Sequence, residues 1–247
     1  MTPGARIATT IEILEKIQRS GSPAEDVVSA YVRGRRYIGS KDRRNIINRV
    51  YNVLRRQARL DWLIEGSNCR ERVIADLLLL DKTSLEEFNN LFNGEGYSPA
   101  VLSKDELKLL TKLKDLSFKD ISFPQQIEGE LPAWISDKLS STWGPNFLIE
   151  SVALNQPATL DLRVNTLKVD CGRALQILKK DKIKAEITRL SPIGLRIQDR
   201  VNLQASTALK GGFVEIQDEG SQLISLLVET KANMKTIDLC AGGGGKT

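Results

Sequence analysis

The feature that most constrains this chain is a change of hydrophobic period part-way along it. Up to about residue 143 the apolar residues recur at helical spacing, whereas beyond about residue 145 short stretches alternate apolar and polar. A period of 3.6 buries one stripe of a helix; a period of 2 buries one face of a strand. The two in succession predict an all-α domain followed by a domain that mixes strands and helices. At 247 residues the chain is long enough for each to carry its own core.

Apolar residues at Ile7, Ile11, Leu14 and Ile17 predict a first helix. Gly21-Ser22-Pro23 interrupts it, with Ser22 as the expected N-cap and Pro23 as the first residue of a second helix reaching Tyr31. A third is expected from near Ser40 to about Ile64, and others over 72–80, 84–91, 104–116 and 131–143. The segment 118–130, with Pro124 and Gly129, reads as a linker. Strands are expected over 159–164, 185–190, 194–197, 212–216 and 235–239, with helices over 173–180 and 220–228.

The third helix carries the first functional signal. Ile46, Val50, Val53, Leu54 and Gln57 share one side, and Arg44, Asn48, Tyr51, Arg55 and Arg59 fall opposite. Ten cations (Arg33, Arg35, Arg36, Lys41, Arg43, Arg44, Arg49, Arg55, Arg56 and Arg59) crowd this region with only Asp42 as a local acidic counterweight. A charge run is usually a solvated face. Here the density, the interleaved Tyr37 and Tyr51, and a net charge of +5 favour nucleic-acid phosphate contact with base stacking.

Other chemistries are excluded by residue type. The sequence has no His, so a Ser-His or Cys-His pair and a His-ligated metal site are excluded within it. Cys69, Cys171 and Cys240 are widely separated and fit neither a disulfide framework nor a zinc site, which favours reduced thiols and a cytoplasmic location. The longest pure apolar run is Leu77–Leu80, too short for a signal peptide or a membrane span.

The chemistry is concentrated at the end, in Asp238-Leu239-Cys240-Ala241-Gly242-Gly243-Gly244-Gly245-Lys246-Thr247. A short apolar strand running into glycines lets backbone approach a ligand closely, as at the first strand of a doubly wound sheet. A P-loop would need G-x-x-x-x-G-K-[ST]; Gly245-Lys246-Thr247 matches its end, but Cys240 stands where the first glycine is required. A nucleoside triphosphatase fragment is therefore the weaker reading, and S-adenosyl-L-methionine the better ligand class.

This motif resembles the D-x-C-A-A-P-G-G-K-T cofactor loop of the RsmB/Sun (Nop-type) RNA 5-methylcytosine methyltransferases, with Gly242-Gly243 in place of Ala-Pro. Upstream, Arg163-Val164-Asn165-Thr166-Leu167-Lys168 resembles the family's R-x-N-T-L-K signature. Gln217-Asp218-Glu219-Gly220-Ser221-Gln222-Leu223 resembles the segment before its cofactor strand. Lys41-Asp42-Arg43-Arg44 with Val50-Tyr51-Asn52-Val53-Leu54-Arg55 is similar to the family's NusB-like RNA-binding domain. The resemblance implies an all-α NusB-like domain with linker (1–143), a small α+β, RRM-like subdomain (144–230), and the truncated start of a Rossmann-like α/β methyltransferase domain (231–247).

It also implies roles. Asp238, Cys240, Ala241, Gly242, Gly243, Gly244, Gly245 and Lys246 would hold the methionine end of S-adenosyl-L-methionine, with Lys246 near its carboxylate. Cys240 is expected to be a small thiol packed behind the turn, not a nucleophile. Arg35, Arg36, Lys41, Arg43, Arg44, Arg55, Arg59, Arg163, Asn165 and Lys168 would contact RNA, ribosomal RNA in this family. Asn165 could equally cap a turn, and Asp218 is well placed as an N-cap for the helix after it. The family's two catalytic cysteines, one adding to C6 of the cytosine and one assisting release, lie beyond the glycine loop in P-C and T-C contexts. The three cysteines here follow Asn68, Asp170 and Leu239, so none matches. The ribose-gripping acid is likewise expected past Thr247. The implied protein is an N-terminal portion that a second polypeptide could complete, or a non-catalytic RNA-binding remnant. The expected outcome is no methyl transfer to RNA by purified residues 1–247; turnover of radiolabelled cofactor by that chain alone would overturn this expectation.

Overall fold

Thr2 accepts a hydrogen bond from the Ala5 N–H at 3.2 Å, and this cap starts α1 (Pro3–Ser20). Gly21 ends it with a φ of 62°, a left-handed conformation that suits glycine at a helix C-terminus. The structure, a computed structural model, describes residues 1–118, 121–198, 201 and 203–245. These form two compact units, 1–156 and 157–247. The helical domain and the small α+β domain expected from the change of period are both present.

In the first unit α1 is followed by α2 (Ala24–Arg33), α3 (Ser40–Arg55), α4 (Gln57–Ile64), α5 (Cys69–Leu79), α6 (Leu85–Leu91) and α7 (Lys104–Leu113). Then come α8 (Gln125–Glu128), α9 (Ala133–Trp143) and α10 (Phe147–Leu154). Their core joins Ile13 and Leu14 of α1 to Ile46, Val50 and Val53 of α3, Leu60 of α4, Val73 and Ile74 of α5, and Phe88 of α6. The apolar face assigned to the third helix is thus the buried one.

Three local expectations change. Pro23, rather than Ser22, is the N-cap of α2. The single helix expected over 40–64 is two, broken at Arg56 (φ −112°, ψ 15°). The freed N–H groups of Ala58 and Arg59 donate to one carboxylate oxygen of Glu130, at 3.1 and 3.4 Å. This cap comes from a residue 71–72 positions away, so local periodicity does not reveal the break. The stretch read as a linker holds α8, while residues 119 and 120 of it lie outside the described residues.

The second unit runs β1 (Leu160–Val164), α11 (Cys171–Lys180), β2 (Ala185–Ile187), β3 (Gly194–Ile197), α12 (Thr207–Lys210), β4 (Val214–Ile216) and α13 (Glu219–Leu227). The strands form one antiparallel sheet in the order β2-β3-β1-β4. Leu162, Val164, Leu195, Ile197 and Val214 bury one face against Ala174 and Leu178 of α11 and Ala208 of α12. The opposite face carries cross-strand charge pairs, Asp161 opposite Arg196 and Arg163 opposite Glu215. Asp170 and Asp218 cap α11 and α13 through the N–H groups of Arg173 (2.7 Å) and Ser221 (3.1 Å), the latter as expected.

The strand expected over 235–239 does not form. Residues 235–239 pair with neither edge of this sheet, and an isolated strand has no partner for its backbone hydrogen bonds. Leu239 is 91% exposed.

Leu162 is fully buried at the centre of the sheet. Leu162→Ala is expected to destabilise the second unit by about 2–5 kcal/mol, measured by thermal or urea unfolding.

Candidate functional site

In the first unit the basic stripe divides into cations that the fold uses and cations that it leaves to solvent. Arg49 donates to the buried carboxylate of Asp76 at 2.7 Å and also pairs with Asp81; Arg56 reaches the other Asp76 oxygen at 3.5 Å. Arg59 lies 3.1 Å from a Glu130 carboxylate oxygen, donates to the Glu128 carbonyl at 2.7 Å, and sits 5.4 Å from the Phe123 ring centre. Burial pushes the Glu130 carboxyl up to about 7 against the opposing pull of Arg59. Arg35 stacks 3.6 Å from the centre of the Tyr31 ring and pairs with Glu12 at 3.2 Å. Arg43 donates to the Ile38 carbonyl at 3.4 Å.

Asp42 is therefore not the only counterweight: Glu12, Asp76, Asp81 and Glu130 arrive from other parts of the chain. Arg33, Arg36, Lys41 and Arg44 are exposed and have no ion-pair partner among the described residues. Arg55, half-buried, lies 5.7 Å from the Tyr51 ring centre.

In the second unit the charged sheet face is closed by its own members. Arg196 donates two hydrogen bonds of 2.8 Å to Asp161 and a third of 3.2 Å to Glu219. Glu219 accepts the N–H groups of Leu190 and Ser191 at 2.6 and 3.0 Å, and these hold its carboxyl below the usual range. Gln222, fully buried, accepts from the Ser191 hydroxyl at 2.7 Å and donates to the Gln217 carbonyl at 2.8 Å.

Arg163 donates to Glu215 at 2.5 Å. Asn165 donates to the Gly212 carbonyl at 3.1 Å while its oxygen accepts the Leu167 N–H at 3.2 Å, so it builds the turn. Lys168 Nζ donates to the Gly211 carbonyl at 3.0 Å. The R-x-N-T-L-K segment therefore stitches the turn after β1 to the loop before β4.

The glycine loop follows the irregular 228–241 stretch. Gly242 and Gly244 have φ values of 55° and 77°, and a Cβ at any of Gly242 to Gly245 would meet nothing within 4 Å. These conformations and this open space fit a backbone cradle that a ligand could approach. Asp238 lies just before it, Ala241 within it, and Lys246 outside the described residues. Cys240, expected to pack behind the turn, is exposed, because no sheet encloses it among the described residues.

Gln217, 7% exposed, donates its side-chain N–H to the Gly245 carbonyl, while its side-chain oxygen is buried with no hydrogen-bond partner. Sequence reasoning did not single out Gln217 for this contact. Its signal was a polar residue placed between a strand and the Asp218 cap. No group of acids and cysteines among the described residues is arranged to hold a metal ion, and no described helix is long and apolar enough to cross a membrane.

Residues 131–204 match the family model described as the Methyltr_RsmF/B-like, ferredoxin-like domain. The sheet order and antiparallel pairing of the second unit agree with that description. A Synechocystis sp. protein named Probable ribosomal RNA small subunit methyltransferase B is 29% identical over 232 residues, covering 83% of this chain and 51% of that protein. The Ribosomal RNA small subunit methyltransferase B of Pseudomonas syringae pv. tomato is 26% identical over 116 residues, covering 47% of this chain and 26% of its own length. That of Proteus mirabilis is 29% identical over 118 residues, covering 47% and 28%. The matched region spans about half of the first of these relatives and about a quarter of the other two. The crystal structure of PH0851 superposes with a TM-score of 0.60 at 17% identity, over 94% of this chain and 56% of that one, which is a likeness of fold.

The Arg196 guanidinium holds the Asp161 carboxyl below the usual carboxylate range. Its native value lies under the unfolded value of about 3.9, so its contribution is complete above that value and is lost as pH falls through the native one. Asp161→Asn is expected to cost about 2–3 kcal/mol at neutral pH, discounted for the third of Arg196 left in water. The gap to the parent protein should close in strong acid. Urea unfolding across a pH series checks this; a gap that ignores pH would remove the pair from the account.

Proposed function

The chain resembles the N-terminal portion of the RsmB/Sun RNA methyltransferases in its motifs and in its matches to curated relatives, and we propose from this that it serves ribosomal RNA cytosine-5 methylation. The single observation that carries the reading is the glycine loop, open on its ligand side and held through Gln217 to the unit whose sequence matches the RsmF/B-like domain. S-adenosyl-L-methionine supplies an electrophilic methyl group. Asp238, Cys240, Ala241, Gly242, Gly243, Gly244 and Gly245, with Lys246, would hold its methionine end by backbone N–H groups and one lysine charge.

Residues 231–247 are, in this reading, the start of a Rossmann-like domain whose remaining strands would pair the 235–239 segment and cover Ile237 and Leu239. The first unit, read as NusB-like, grips RNA by its solvent-facing cations, with Arg36, Lys41, Arg44 and Arg55 free to do so and Arg35, Arg43 and Arg59 shaping that surface. In the RRM-like unit Arg163, Asn165 and Lys168 lie beside the loop before β4 and could reach RNA by exchanging their present partners. The location is cytoplasmic, and the cysteine nucleophiles are supplied outside residues 1–247. A non-catalytic RNA-binding module is the second reading, favoured by the exposed cations of the first unit, Arg33, Arg36, Lys41 and Arg44.

Bisulfite mapping of ribosomal RNA from the source organism, with and without this gene, separates the two. Loss of a discrete 5-methylcytosine in the small-subunit RNA is the expected outcome. An unchanged map in the deletion strain would sink the methyltransferase reading and leave the RNA-binding one.

A further inference from the structure

We propose that the turn joining α2 to α3 is a site for single-stranded RNA, in which an unpaired base stacks on Tyr37 and the flanking phosphates lie against Arg36, Lys41 and Arg44. This rests on the RNA reading above and narrows it to one segment and one form of RNA.

Tyr37 is 74% exposed, yet the turn that carries it is anchored on both sides. Ile38 is buried in the first core; its N–H donates to the Arg35 carbonyl at 3.1 Å, and its own carbonyl accepts from Arg43 at 3.4 Å. Arg35 is in turn fixed by Tyr31 and Glu12. An exposed aromatic on a pinned turn loses little freedom when a base stacks on it, which favours binding.

The surroundings are cationic and unspent. Arg33 ends α2, Arg36 precedes the tyrosine, and Lys41 and Arg44 lie one turn apart at the start of α3. All four are exposed with no ion-pair partner among the described residues. The acid in their midst, Asp42, is already engaged by the Met1 ammonium at 2.8 Å and by Arg6 at 3.3 Å. The first turn of α3 has no side-chain cap, so its N–H groups and helix dipole add to the positive field. Elsewhere on the stripe the arginines are tied to Asp76, Asp81 and Glu130, so the accessible positive charge gathers around Tyr37.

A duplex keeps its base faces stacked within the helix and offers a surface tyrosine nothing to stack on. An unpaired strand offers both a π-face and a flexible backbone that can bring phosphates to the cations. The sheet face of the second unit offers no comparable platform, since its described members are charge pairs rather than aromatics.

Fluorescence anisotropy on the 247-residue chain tests this with three probes: a mixed-sequence single-stranded RNA, a loop-free two-strand RNA duplex and polyglutamate. The single strand should bind tightest. Tyr37→Ala should weaken it about 5- to 160-fold, the range for losing one stacked base, with its salt dependence unchanged. Tyr37→Trp should restore it. Lys41→Ala and Arg44→Ala should each reduce the slope of log affinity against log salt by about 0.7. Equal binding of duplex and single strand, or indifference to Tyr37→Ala, would overturn the inference and leave the RNA reading intact. Polyglutamate binding as tightly as RNA would also overturn it, in favour of an acidic protein partner. Failure to bind any RNA would refute the RNA reading itself. Tyr37 lies outside both cores, and circular dichroism of each variant confirms that folding is not what changed.

Discussion

The second unit is organised around a carboxylate removed from water. Asp161 is on the middle strand β1, its side chain fully buried on the face opposite the apolar core. An isolated buried charge is costly, so the surrounding groups must satisfy it. Arg196 on the neighbouring β3 donates twice, Thr159 donates once at 3.1 Å, and the Glu219 N–H at the start of α13 completes the set at 3.4 Å. That last bond fixes where α13 begins, and hence where Gln217 and Asp218 must lie. Arg196 then binds Glu219, whose other oxygen holds the Leu190–Ser191 backbone. One buried charge thus sets the positions of a strand pair, a turn and a helix start.

The same electrostatic logic shapes the first unit with the opposite result at its surface. Asp76 and Glu130 are buried acids, and each requires arginine. The arginines nearest them, Arg49, Arg56 and Arg59, come from the stripe, so the stripe is thinned where the core is acidic and left intact at the α2–α3 turn. The net charge of the segment is a poor guide to its field; the pairing pattern decides which cations a polyanion can reach.

Much of this was legible in the sequence because it depends on near neighbours. The apolar face of α3, the Asp218 cap and the switch from helical to strand period all follow from residues within a few positions of one another. The break at Arg56 was not legible, because the group that stabilises it, Glu130, lies far along the chain. Nor could the sequence distinguish Arg59 from Arg44 on the same helix face, since the difference is a carboxylate brought in by folding. For the R-x-N-T-L-K segment, a turn-building and a ligand-contacting role call for the same residue types, and the hydrogen bonds to Gly211 and Gly212 show the turn-building one. The expected strand over 235–239 failed for a related reason: alternation identifies a segment able to pair but does not supply its partner.

The glycine loop illustrates how composition and conformation interact. Replacing the related Ala-Pro by Gly242-Gly243 removes two restraints on the unfolded chain, a loss of about 0.4–1 kcal/mol each where the restrained residues would fit the native backbone. Gly242 does not offer such a fit, since its positive φ would strain an alanine. The backbone path here favours glycine at Gly242 and Gly244 and leaves space beside all four residues. The Gly244 N–H is spent on the Ala241 carbonyl at 2.8 Å, and all four glycines face water. The hydrogen bond from Gln217 orders one end of the loop without closing that space. Such a loop retains the open approach that a backbone cradle needs.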